Sequence, residues 1–153
     1  MTTVLRIVHL LSATVWVGGT IALVFVGVPA IRATEGEARA VAMRALGRRW
    51  RPLGWGALAV LAATGAANAY EHGAFSRAGT GFDAVLAVKV GLFVVLVITA
   101  YLHDFVLGPG LARQIREGRT QTIRPRLVVV GWVSFALTLA IPVLGVALAE
   151  LAG

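Results

Sequence analysis

Lys89 is the only lysine among the fourteen lysines and arginines of the chain, and it lies in FDAVLAVKVGLFVVLVITAYLHDF, a stretch that is otherwise soluble in lipid. An ammonium at bilayer depth costs about 2.5 to 3.5 kcal/mol even on lenient insertion scales, so it needs a partner, a ligand or water. The lysine therefore marks a polar site inside a membrane protein. Arg6, His9, Asn68, Tyr70, His72 and Asp83 stand near those ends of the apolar runs that topology brings to the same side as Lys89. A neutral imidazole on a membrane helix suits haem iron as an axial ligand, and packed helices form the apolar slot a porphyrin needs. On that reading His9 is the metal ligand and His72 the one nearby histidine that could join it. Arg6, one turn outward from His9, holds a propionate through a charge-assisted hydrogen bond. Asn68 lines the same place, Trp16 packs on the ring, and Lys89 orients a substrate or a second propionate.

Each residue also has a plainer reading. His9 can hydrogen-bond a neighbouring helix, His72 can sit at an exposed loop edge, and Trp16 can be ordinary packing. Lys89, two turns inside the membrane, can snorkel outward along its own stem. His103 and Asp104 adjoin Arg48, Arg49 and Arg51 in this topology, which fits an interfacial ion-pair cluster; the sharper reading is an entry point for a proton or anion, since a histidine titrates near neutral pH.

The elements that must position these groups are membrane helices. Of the 153 residues, 58% are apolar, and the mean hydropathy of +0.84 excludes an ordinary soluble domain. Four runs are long enough to cross a hydrocarbon core: about 4–31, 52–71, 83–106 and 126–149. The first is too long for the apolar part of a signal peptide and is read as retained. Residues 33–47, ATEGEARAVAMRALG, have the spacing of a short amphipathic helix at the inner surface. Pro29 should close the first span, Pro52 falls in the first turn of the second, Gly108, Pro109 and Gly110 should break the third, and Pro142 should kink the fourth. The expected fold is an all-α integral membrane four-helix bundle, one domain over residues 1–153.

Along the helices, Thr64, Asn68 and His72 recur at intervals of four on one face. Lys89, Leu96 and His103 recur every seven, while Gly131, Ser134, Thr138, Ile141 and Gly145 form a small, weakly polar face on the last span. Small faces of this kind let membrane helices approach closely, and they make a homo-oligomer an expectation.

The net charge of +7 does not point to nucleic acid, because the arginines follow membrane topology. Arg32, Arg39, Arg44, Arg48, Arg49 and Arg51 lie between the first two spans, and Arg113, Arg116, Arg119, Arg124 and Arg126 between the last two. The positive-inside rule places both loops in the cytoplasm and both termini outside a bacterial-type inner membrane. The arginines are then free to contact anionic lipid. There are no cysteines, which excludes disulfides, thiolate metal sites and cysteine nucleophiles. Met1 and Met43 are the only thioethers, so soft ligands for Cu(I) are scarce.

Three segments carry a family resemblance: HLLSATVWVGG with His9, Trp16 and Gly19, then RRWRPLGWGALAVLAATG, then LAVKVGLFVVLVITAYLHDF with Lys89. Together they resemble the CopD-like (copper resistance D) membrane domain and, more distantly, the HemJ type of protoporphyrinogen oxidase. In the oxidase group the first-helix histidine and the third-helix lysine are tied to activity and haem b, and they correspond here to His9 and Lys89. The resemblance implies a haem b membrane protein with redox activity toward a quinol, a porphyrinogen or a small diatomic, an oxidoreductase exchanging electrons with the quinone pool. The alternative expectation is transport of, or resistance to, copper or another small cation without haem, with the histidines and Asp83 as transient ligands.

Overall fold

The computed structural model describes residues 3–71, 81–117 and 122–152, and among these every regular element is helical. The chain divides into two compact units, Met1–Ser76 and Arg77–Gly153.

The first unit opens with α1 (Thr3–Ala22), which passes through a π-helical turn, Leu23–Gly27, into α2 (Val28–Arg32). Ala22, Gly27 and Val28 all keep right-handed helical dihedrals, so the axis is not interrupted. Arg39 then reaches back to close α2, its guanidinium donating to the carbonyls of Thr34 (2.7 Å) and Arg32 (2.8 Å). A basic side chain on these otherwise orphaned carbonyls is a standard way to finish a helix. The reversal is completed at Gly36, whose φ of +55° is the left-handed conformation that favours glycine.

From there α3 (Gly36–Glu71) runs for 36 residues without a break. The surface helix expected at 33–47 and the span expected at 52–71 are thus one element, and Pro52 lies inside it rather than in a first turn. The hydrogen bond that proline cannot donate is lost beside Arg48, Arg49 and Arg51. At that level water and headgroups can serve the freed carbonyl, which explains why the helix survives an interior proline.

Helix α3 lies antiparallel to α1. A Cβ at Gly27 would be 3.5 Å from Leu46, one at Gly54 3.1 Å from Trp16, and one at Gly65 3.7 Å from His9. The middle of this contact is aromatic. Trp16 and Trp50 have ring centroids 6.1 Å apart at 32°, and any side chain at Gly19 would overlap the Trp50 ring. Lipid tails are as apolar as leucine, so close packing of this kind, not expulsion of water, holds two membrane helices together.

The second unit comprises α4 (Gly81–Tyr101), a π-helical stretch Leu102–Leu107, α5 (Gly108–Arg116) and α6 (Arg124–Ala152). Tyr101 and Gly108 keep right-handed dihedrals, so the helix continues through Gly108, Pro109 and Gly110 to Arg116. The expected break does not occur. The first span ends at Arg32, close to where it was expected, and it too passes through a proline, Pro29. In both places proline is the second residue after a π segment, Leu23–Gly27 before Pro29 and Leu102–Leu107 before Pro109. A π turn widens the preceding ring of backbone and shifts the carbonyl that the proline would otherwise strike.

Helices α4 and α6 pack antiparallel in a register that repeats every seven residues. Lys89 lies against Gly145 and His103 against Gly131. Midway between them in sequence stand Leu96 and Thr138, only 2% and 1% exposed. The turn between α5 and α6 is tied by the buried Gln114, whose Nε2 donates to Thr122 Oγ1 (2.9 Å) and whose Oε1 accepts from the Ile123 amide (3.3 Å).

Among the described residues three helices are long and apolar enough to cross a membrane: Thr3–Arg32, Ala84–Gln114 and Arg124–Val146. Large apolar side chains such as Leu10, Phe25, Val26, Val94 and Val143 point outward from them, as a lipid solvent requires. The later half of α3 is diluted by Gly54, Gly56, Gly65 and Asn68 and is not among the three.

Candidate functional site

His9 is the best-defined of the residues with chemical potential. It stands on α1, half-buried, with Nδ1 2.7 Å from Oγ1 of Thr64 on α3. Thr64 is itself buried, and its hydroxyl donates to the carbonyl of Val60 one turn earlier, also at 2.7 Å. A hydroxyl has one proton. With that proton on Val60, the oxygen accepts from His9, so Nδ1 carries a hydrogen, and in the neutral ring the lone pair is then on Nε2. A hydrogen bond to one ring nitrogen is what fixes the tautomer and orientation of an imidazole that ligates through the other.

Arg6 is exposed one turn before His9, and Asn68 follows Thr64 by one turn on α3 with its Oδ1 buried. Tyr70 points outward, 75% exposed. Trp16 is buried against Trp50 and Gly54 within the α1–α3 contact. The structure thus gathers His9, Thr64 and Asn68 on one stretch of this contact, with Trp16 two turns deeper. His72 lies outside the described residues, as does the side chain of Asp83. The role of Thr64 was only half visible beforehand: its place on a stripe with Asn68 could be read, but not that it meets His9.

Lys89 belongs to the second unit. Its stem and ammonium lie along α6 at Gly145, where a Cβ would come 3.2 Å from Nζ and 3.9 Å from Cε. It is half-buried, and among the described residues its ammonium has no hydrogen-bond or ion-pair partner. At the other end of α4, His103 Nδ1 meets Asp104 Oδ1 at 3.0 Å, and the edge of its ring faces Gly131, 3.5 Å from a Cβ there. The partner of His103 is thus its own sequence neighbour. Among the described residues no group of three or more histidine, aspartate or glutamate side chains converges as a metal site.

An all-helical chain with three apolar helices of membrane-crossing length, and with polar side chains lodged along them, is a multi-pass membrane protein. It belongs to the copper resistance protein D family, whose model (CopD) matches residues 43–149. The match takes in most of α3, all of α4 and α5 with Lys89 and His103, and most of α6; His9 lies before it. No curated protein and no solved structure matches the chain.

Proposed function

We propose that this protein handles copper as its cargo in a membrane resistance system, and that the end of the α1–α3 pair carrying His9 is where the ion is met. The observation that carries this reading is the Val60–Thr64–His9 chain of hydrogen bonds. It orients the imidazole so that, in the neutral ring, Nε2 carries the lone pair. Imidazole suits copper in both oxidation states, and Cu(II) heads the affinity order of the divalent first-row metals. Asn68, one turn beyond Thr64, and His72, one turn further by the spacing of the sequence, would complete a sparse set of ligands. A sparse set suits an ion that must leave again.

In this reading the later half of α3 is a fourth membrane span, since it lies along a crossing helix over most of its length. The distribution of arginines supports both arginine-rich connections facing the cytoplasm, with both termini outside. Because the chain has no cysteine, single cysteines introduced at Thr34 and Glu117 would report sidedness by labelling with an impermeant reagent.

A second reading rests on the same imidazole. An axial ligand to haem b needs the same anchored tautomer, and HLLSATVWVGG resembles the first helix of the HemJ-type oxidase. Purified protein decides between the two. The copper reading expects a colourless protein that binds copper, with His9→Ala removing the binding. A Soret band that His9→Ala abolishes would overturn it in favour of haem.

A further inference from the structure

At the end of the second unit where α5 turns into α6, an open groove of about 460 Å³ runs between the π segment and the start of α6. Leu102 and Leu107, the first and last residues of the π segment, form one wall. Pro125 and Val129 form one ridge of the other wall, and Arg126 and Val130 the next, each pair one helical turn apart. The lining is apolar except for Arg126. The π turn gives this groove its shape, because its extra residue per turn separates two leucines that an α-helix would place differently.

Charge is arranged at one end only. Arg124 and Arg126 fall in the first turn of α6, which carries no acidic residue. That turn also presents the positive end of a 29-residue helix. The mouth is held in place. Gln114 bonds to both Thr122 and the Ile123 amide, and Ile123 packs on Gly110, where a Cβ would be 3.0 Å from its Cδ1. The groove is thus an apolar slot on a membrane-crossing helix pair, lined in part by Arg126, an exposed cation in the first turn of α6.

We infer that this groove is a binding site for an anionic glycerophospholipid, with an acyl chain between Leu102, Leu107, Val129 and Val130 and the headgroup phosphate at Arg126 and the start of α6. Charge complementarity selects this occupant over others that live in a membrane: a neutral chain would fill the slot but leave the arginine unused. The site is separate from His9 and stands whether or not copper is the cargo.

The test is native mass spectrometry of the full chain, released from nanodiscs containing equal amounts of phosphatidylglycerol and phosphatidylcholine. The wild-type protein should retain one phosphatidylglycerol in preference to phosphatidylcholine. Arg126→Gln should cut that preference about fivefold, the worth of one arginine at a membrane surface. Val129→Trp, which fills the slot from an exposed position, should remove retention of either lipid. Equal retention of both lipids by the wild type, or a preference unchanged by Arg126→Gln, would overturn the assignment. So would lipid retained by Val129→Trp, and so would a second copy of the chain bound in place of lipid.

Discussion

The ammonium of Lys89 lies over the backbone of Gly145, close enough that a methyl group at 145 would stand 3.2 Å from Nζ. Among the described residues it has no hydrogen-bond or ion-pair partner. A charged group in a membrane helix costs free energy unless water, a ligand or a partner serves it.

Lys89→Met should therefore raise the thermal stability of the purified protein, by about 1 to 3 kcal/mol on the scale of replacing buried charge with well-packed apolar groups. Copper tolerance of cells relying on this protein should fall at the same time. A variant less stable than the wild type would show instead that the charge holds the helices together.

The adjoining glycine gives a graded version of that experiment. Gly145→Ala asks only the flexible end of a lysine to move by a few tenths of an ångström, and stability should change by less than about 1 kcal/mol. Gly145→Leu fills the space the ammonium occupies and should reproduce the functional loss of Lys89→Met with the lysine still present. Full copper tolerance in Gly145→Leu would show that the position of the ammonium is unimportant.

On the copper reading, Thr64 acts only through the ring it orients. Thr64→Val keeps the shape, leaves Nδ1 of His9 without its acceptor and should weaken copper binding at least about tenfold, the usual cost of losing an outer-shell partner. Thr64→Ser retains the oxygen and should bind within a factor of about three of the wild type. Isothermal titration with Cu(II) in detergent measures both, and equal affinities for the valine and serine variants would remove threonine from the site.

How far the sequence revealed this arrangement varies from one element to the next, for physical reasons. Hydropathy located the starts of the three crossing helices to within two residues, because a lipid solvent demands long apolar runs, but it ended the run beginning at 83 at 106, where the helix continues to Gln114. The seven-residue spacing of Lys89, Leu96 and His103 and the small face holding Gly131 and Gly145 were both legible, and the structure sets them against each other in register. The prolines misled: a rule about α-helices forecasts a break at Pro109, and the π turn before it absorbs the clash. Pairing across helices was hidden as well. Nothing in the periodicity of α1 says that His9 will meet Thr64, because that depends on the register of α3, which Trp50 sets by filling the space at Gly19.

Gln114 offers a test of the loop that ends the second unit. Its amide satisfies both Thr122 and the Ile123 amide from a buried position. Gln114→Ala leaves those groups to water or to nothing and should cost about 1 to 2 kcal/mol, within the range for buried hydrogen bonds that lose a partner. Limited proteolysis should then cut between α5 and α6 faster than in the wild type, while copper binding at His9 stays the same.

Neighbouring glycines on α1 separate packing from propensity. A side chain at Gly19 would overlap the Trp50 ring, whereas nothing lies within 4 Å of a Cβ at Gly18. Gly18→Ala should be neutral or stabilising by up to about 1 kcal/mol, since alanine is the better helix former. Gly19→Ala has the same effect on propensity but forces Trp50 from its place against Trp16 and Gly54, so it should destabilise by about 1 to 3 kcal/mol. Tryptophan fluorescence should shift in Gly19→Ala alone, as Trp50 leaves its packed position. Indistinguishable melting temperatures and spectra for the two variants would mean that α1 and α3 do not meet through this tryptophan, and the register that brings Thr64 to His9 would fall with it.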